Sequence, residues 1–270
     1  MNYWTQNEKN IYVAAHQGWC EKYPGNTVEA FRAAADLGVD QIETDIRETK
    51  DGELICIHNE TVDDYGEATG NVHDMTLEEI KKLNIGGYKG EEFKNCKIPT
   101  FIEFMDIVKE YPMMTIDVEL KEYPTEGNEE RAYRVCDKVL QIIEEYGFND
   151  RCIINSFSPK LHEYILNKYG HKYKHHVFFP HERCMKNVSE NPVDPYSYAY
   201  CACMFGPEKG VTASREHYDF IRSTNTRPWA GASVHDAQTL DHVIECGAEL
   251  ITCNNPDVIL ELLRERGLHK

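Results

Sequence analysis

Positive charge is scarce in this chain: 29 lysines and arginines face 46 aspartates and glutamates, a formal charge of −17 at pH 7. That balance argues against a nucleic-acid backbone or an anionic membrane surface as partner, because the protein's own field repels either. Long apolar runs are missing as well. None approaches the roughly 20 residues that cross a bilayer, so no stable membrane insertion is expected. The opening stretch, Met1 to Asn10, is polar and lacks the hydrophobic core of a signal peptide. Ten cysteines are present but no Cys-x-x-Cys pair, and Cys56, Cys203 and Cys253 sit in apolar, strand-like runs where a thiol acts as a small hydrophobe. The expectation is a reduced, cytoplasmic, soluble protein whose partner is a small molecule. Nothing in these features fixes an oligomeric state.

What is present is an alternation. Short β-rich runs (Ile11 to Ala15, Gln41 to Ile46, Leu54 to Ile57, Met113 to Leu120, Cys152 to Asn155, His175 to Phe179, Tyr198 to Met204, Trp229 to Val234, Leu250 to Cys253) are separated by longer stretches, mostly of helical period. Helix boundaries are marked by Thr27 and Gly38, and by Thr76-Leu77-Glu78-Glu79, a capping box. Lys50-Asp51-Gly52 reads as a tight turn. Repeated βα units without a composition break predict one α/β domain, and about eight strands in roughly 250 residues is the size of a (β/α)₈ TIM barrel. We place it at residues 11–270, with a small insertion at about 59–99 and an N-terminal extension over 1–10. A doubly wound open sheet is the competitor, but no Gly-x-Gly-x-x-Gly follows the first strand.

Glu43 and Asp45 are two apart on a strand and so share a face; Asp117, Glu119 and Lys121 repeat the pattern. Carboxylates gathered on one buried face repel each other unless a cation lies between them. Glu43, Asp45 and Glu119 therefore form a candidate hard-oxygen site for Mg²⁺ or Ca²⁺, the alternative being acids that face solvent at strand ends. His16 and His58 each end an apolar run, the position where a barrel puts catalytic groups, and paired imidazoles suit acid and base work near neutral pH. His171, His175 and His176 lie in a Lys- and Tyr-rich stretch and read as a solvated rim. Trp19, Tyr23 and Tyr123 are candidates for an apolar entrance, or ordinary loop anchors.

With those residues in view, the chain resembles the glycerophosphodiester phosphodiesterase family over nearly its whole length. The matching phrases are His16 to Thr27, Glu43-x-Asp45, Thr49-Lys50-Asp51-Gly52, His58, Gly70 to Thr76, Ile98-Pro99-Thr100, Glu119-Leu120-Lys121 and Ser156-Phe157. The resemblance implies a (β/α)₈ barrel, acid and base roles for His16 and His58, and a divalent cation on Glu43, Asp45 and Glu119. It also implies that Lys121 approaches the phosphate, and that the attacking oxygen is the substrate's own adjacent hydroxyl, giving a cyclic phosphate that water opens. Several positions depart from the family pattern. Gln17 stands where an Arg usually binds phosphate, Gly25 where a Glu is usual, and Asn59 where an Asp follows the second histidine. Late in the chain the family's Trp-Thr-Val-Asn reads Ala232-Ser233-Val234-His235, with Trp229 three residues upstream. Substrate contacts are thus expected at Lys121, Gln17 and Trp229, with hydrolysis retained and the substrate altered. Two alternatives are a decayed, non-catalytic sugar-phosphate-binding barrel and a lysophospholipase D-type enzyme.

Overall fold

The computed structural model describes residues 10–65 and 68–270; all but Asn10 of the expected N-terminal extension lies outside them. Nine strands are present among these residues: β1 (Tyr12–Ala15), β2 (Gln41–Glu48), β3 (Leu54–Cys56), β4 (Thr115–Leu120), β5 (Cys152–Asn155), β6 (Lys174–Phe179), β7 (Cys201–Met204), β8 (Arg227–Ala230) and β9 (Leu250–Cys253). All except β3 run parallel, and the pairing of β1 with both β9 and β2 closes them into an eight-stranded barrel. Helices α1 (Val28–Leu37), α2 (Leu77–Lys82), α3 (Phe101–Val108), α4 (Glu129–Glu145), α5 (Pro159–Tyr169), α6 (His181–Cys184), α7 (Arg215–Ser223), α8 (Ala237–Cys246) and α9 (Pro256–Glu265) connect them. The (β/α)₈ barrel expected from the alternation is the fold.

Strand parity divides the molecule into two interiors. Val13, Ala15, Ile42, Ile46, Ile116, Val118 and Ile154 join the core between strands and helices. The opposite faces point into the barrel, where Ala14, Ile153, Cys201, Trp229 and Leu250 form a small apolar plug. Above that plug the inward positions of β2 and β4 are charged. A barrel interior is normally filled by branched apolar side chains, so buried charge here marks a departure that needs a reason.

The expected boundaries hold where local chemistry sets them. Thr27 caps α1, Gly38 ends it in the left-handed conformation, and Thr76 completes its capping box with Glu79; Thr100, not expected as a cap, does the same with Glu103. They shift where tertiary geometry decides. Strand β8 is Arg227–Ala230, earlier than expected, and Gly231 to Val234 form the loop above it.

One expectation is corrected in kind. His16 follows the barrel strand β1, whereas His58 does not end a barrel strand. The chain leaves the barrel at the end of β2, turns at Thr49–Gly52 with Gly52 at φ 84°, and returns antiparallel as β3. This hairpin delivers His58 back to the mouth, and the Ile57 amide donates to the Asp45 carbonyl (3.0 Å). Two devices hold it. A small separate core, including Ile57, Val62, Val72, Ile80, Ile85 and Ile98, gathers the segment that follows. Beneath it lies a charge network: Arg134 binds both oxygens of buried Glu48 (3.2 and 2.6 Å), the Glu48 amide donates to Glu122 (3.2 Å), and His73 sits 3.3 Å from Glu122 and 2.8 Å from the Glu48 carbonyl.

Burial works to lower His73 and to raise Glu122, but their mutual attraction overrides it, so His73 is held above and Glu122 below the ordinary value. The Glu122 contribution is present above its unfolded value, about 4.3, and is lost as pH falls through the depressed folded value; that of His73 is present below about 6.5 and is lost as pH rises through the raised one. Urea midpoints of wild type minus Glu122→Gln are therefore expected to differ most near pH 5.5 and to converge on either side. A difference independent of pH would count against the pair.

Candidate active site

The parallel register sets Glu43 beside Asp117 and Asp45 beside Glu119, all on inward-facing positions. One oxygen from each of Glu43, Asp45 and Glu119 lies within 4.8 Å of the others. Lys121, on the same face, approaches Asp45 Oδ1 at 3.1 Å and bonds Glu119 Oε1. Asp45 Oδ2 accepts from the amides of Gln17 (3.0 Å) and Asn26 (2.7 Å), while the Gln17 backbone N–H donates to Glu43 Oε2 (2.8 Å). Gln17 achieves both bonds by taking a left-handed backbone, φ 54°, an unusual conformation for a residue with a side chain. Gly18 follows because nothing larger fits: a Cβ there would stand 2.6 Å from the Ala30 carbonyl carbon of α1.

The electrostatics are unbalanced. Burial pushes the Glu43 carboxyl well above its usual range, and the charges of Asp45, Glu119 and Asp117 push the same way against the Gln17 amide. Burial also favours neutral Asp45, but Lys121, His58, His16 and Asn26 outweigh it and hold Asp45 below the carboxylate range. Glu119 is raised, by burial above all. Buried atoms Glu43 Oε1 and Asp45 Oδ1 have no hydrogen-bond partner among the described residues, although the second faces the Lys121 ammonium. One lysine does not neutralise this mouth.

His16 and His58 line the same cleft as Glu43 and Glu119. His16 Nε2 lies 4.0 Å from Glu43 Oε2, and its Nδ1 is 2.8 Å from Asn254 Oδ1. Burial lowers its affinity for a proton, but the Cys20 thiol, Asp45 and Asn254 outweigh burial and hold it at about 9. His58 is exposed, with Nδ1 2.7 Å from Asn59 Oδ1. Arg47, buried on the inward face of β2, donates to the His58 carbonyl (2.9 Å) and the Lys121 carbonyl (3.4 Å). Its parity with Glu43 and Asp45 was the available signal for a residue that the sequence reading passed over.

His16, Glu43, His58, Glu119 and Lys121 line one cleft of about 170 Å³, and its far wall is aromatic: Phe157, Phe178 and Phe205. Phe157 and Phe178 stack with centroids 3.7 Å apart. Trp19 and Tyr23, the expected entrance, pack on each other away from this cleft. Asp45 lies fully buried behind Glu43 and Glu119, within reach of Gln17. Trp229 is not among the lining residues. It stacks on His176 inside the barrel (4.5 Å) and donates to Thr252 (2.7 Å); Gly231 and Ala232 line the cleft in its place. The solvated-rim reading holds for exposed His171 but not for His175 or His176, both buried. His176 bonds Asp117 at 2.8 Å and faces the barrel interior; His175, one residue earlier, points outward to His162 (2.9 Å).

Comparison with known proteins now decides the family. Residues 16–191 match the model of the glycerophosphoryl diester phosphodiesterase family. A glycerophosphodiester phosphodiesterase of Caldanaerobacter subterraneus subsp. tengcongensis is 31% identical over 266 residues, spanning 94% of this chain and 98% of that one. The chain belongs to the glycerophosphoryl diester phosphodiesterase family. It is thereby a phosphoric diester hydrolase. Among solved structures, an Oleispira antarctica phosphodiesterase in complex with the product sn-glycerol-3-phosphate superposes with a TM-score of 0.78 at 19% identity, covering 94% of this chain and 96% of that one. A glycerophosphodiester phosphodiesterase from Thermotoga maritima gives 0.71 at 20% identity, covering 95% and 100%. At that identity the likeness speaks to the fold.

In this family member the acids fit a divalent cation on their own chemistry. Three hard carboxylates converge, two of their buried oxygens lack hydrogen bonds, and Glu43 carries unrelieved repulsion. Mg²⁺ or Ca²⁺ at about 100 times its Kd is expected to stabilise the folded protein by ~2.7 kcal/mol and so raise Tm by several degrees. Glu43→Gln should abolish the rise while leaving the metal-free Tm unchanged or higher, because a repelling charge is gone. Scanning calorimetry with and without EDTA measures both.

Proposed function

We propose that this chain, with residues 11–270 as its working domain, hydrolyses a glycerophosphodiester or related polyol phosphodiester to an alcohol and a glycerol phosphate. The observation that carries this reading is the convergence of three carboxylates within 4.8 Å and two histidines on one cleft. Glu43, Asp45 and Glu119 would hold Mg²⁺ or Ca²⁺, which supplies Lewis-acid polarisation of a non-bridging phosphate oxygen. Lys121, fixed by Asp45 and Glu119, adds positive charge where the phosphorane gathers negative charge. His16 and His58 both line this cleft, and in this reading one takes the proton of the attacking hydroxyl while the other gives a proton to the leaving alcohol. Gln17 acts here by orienting Asp45 and Glu43, a role distinct from phosphate contact.

The aromatic wall of Phe157, Phe178 and Phe205 favours a second reading, in which the leaving group carries an apolar portion, as in lysophospholipid diesters. A panel of water-soluble glycerophosphodiesters and lysophospholipids, assayed with Mg²⁺, Ca²⁺ and EDTA, separates the two. It also tests the non-catalytic alternative, which predicts no chelator-sensitive release of alcohol from any diester. His16→Ala and His58→Ala are each expected to lower kcat by about 10² to 10⁴ with Tm little changed. Near-normal turnover by either variant removes that histidine from the chemistry.

A further inference from the structure

The two histidines are oriented alike, and neither by a carboxylate. His16 Nδ1 meets Asn254 Oδ1 at 2.8 Å, and His58 Nδ1 meets Asn59 Oδ1 at 2.7 Å. An amide can present either its oxygen or its NH₂, so an asparagine alone does not decide which imidazole nitrogen carries hydrogen. At His58 a third group decides. Asn59 Nδ2 donates to Asp64 Oδ2 at 2.8 Å. An exposed carboxylate only accepts, so the NH₂ of Asn59 must face Asp64 and its oxygen must face His58. That oxygen also only accepts, so Nδ1 must carry the hydrogen. A neutral His58 then keeps the Nε2 lone pair free.

We propose that Asp64 is a positioning residue for the hydrolysis, setting the tautomer of His58 through the Asn59 amide. The loop is built to hold this relay. Arg47 fixes the His58 carbonyl (2.9 Å), the Asn59 backbone N–H donates to the Tyr65 hydroxyl (3.4 Å), and the neighbouring Asp63 accepts from the Gly70 backbone N–H (2.8 Å). His16 carries a similar clamp, in which the Cys20 thiol donates to the same Asn254 oxygen (3.2 Å). An amide link hands on orientation without placing a full charge against the imidazole. The relay thus fixes which nitrogen faces the reaction while leaving His58 free to exchange its proton.

The catalytic part of this inference rests on the proposed hydrolysis; the tautomer does not. Two-bond ¹⁵N–¹H spectra of histidine-labelled, metal-loaded protein, at a pH where the imidazole is neutral, read the tautomer directly. Wild type should show His58 with hydrogen on Nδ1. Asp64→Ala should give a mixture. Asp64→Lys places a donor opposite Asn59, turns the amide over and moves the hydrogen to Nε2. Against the best substrate of the panel, kcat should fall about tenfold in Asp64→Ala and about 10²-fold in Asp64→Lys, with KM within about twofold. Asn59→Asp in the Asp64→Lys background should restore both spectrum and rate, since a carboxylate accepts the Nδ1 hydrogen whichever way it turns. In a His58→Ala background Asp64→Lys should cost nothing further. Hydrogen on Nε2 in wild type, an unchanged spectrum and rate in Asp64→Lys, or an equal loss without His58 would overturn the proposal. Should wild type cleave no diester, the functional reading fails and the spectra still decide the relay.

Discussion

Four carboxylates on two adjacent strands face a single lysine, and this uncompensated negative charge at the barrel mouth is the constraint on which the rest of the site depends. Glu43, Asp45, Asp117 and Glu119 are all buried. Lys121 answers two of them and His176 a third, which leaves Glu43 held by one backbone N–H and beside His16. Burying like charges is expensive unless something cationic is present in the working state. The protein tolerates the arrangement by surrounding it with donors: Gln17 in a left-handed conformation, the Asn26 amide, and Arg47 reaching past β2 to the backbone of both neighbouring segments. These residues belong to two stretches of chain, the loop after β1 and strand β2, and share one electrostatic task.

Two of the departures from the family pattern are, in physical terms, one. Gln17 replaces an Arg and Gly25 replaces a Glu, and a Cβ added at Gly25 would stand 2.5 Å from Gln17 Oε1. The folded-back glutamine occupies the room that a side chain at 25 would need. A neutral amide thus stands where the family resemblance sets a guanidinium, and it fills the space that a larger side chain at 25 would take. Among the described lining residues, Lys121 is then the one lysine or arginine. Under the proposed hydrolysis, phosphate recognition then rests on the Lys121 side.

How far the sequence could be read follows from which forces are local. Strand parity is local, and it put Glu43, Asp45 and Glu119 on one face without knowledge of the partner strands. Capping is local too, and Thr27 and Thr76 cap as expected. The route of His58 was not legible, because an apolar run ending in histidine looks the same whether it closes a barrel strand or a hairpin that folds back onto one. His176 and Trp229 were misplaced for a related reason. A Lys- and Tyr-rich neighbourhood suggests solvent, yet alternation drives every second residue of β6 into the barrel, where Asp117 of β4 supplies His176 with a partner across the one intervening strand, β5. Trp229 follows the same rule on β8 and lands in the plug. Applying parity to those strands as strictly as to β2 and β4 would have found both.

In the proposed hydrolysis, the division of labour between strand and loop has a physical basis. Electrostatic stabilisation is strongest when the charges are held before the reaction begins, and buried parallel strands hold them best. Proton transfer asks for something different: an imidazole that can exchange with solvent and follow the reacting oxygens. Glu43, Asp45, Glu119 and Lys121 stand on or directly beyond β2 and β4 and are buried, whereas His58 is exposed and stands beyond a hairpin. A loop-borne histidine gains access at the risk of losing orientation. The Arg47 anchor, the Asn59 amide and the Asp64 carboxylate each remove one freedom from it, in turn the backbone position, the ring direction and the tautomer, while leaving its outer face open to water.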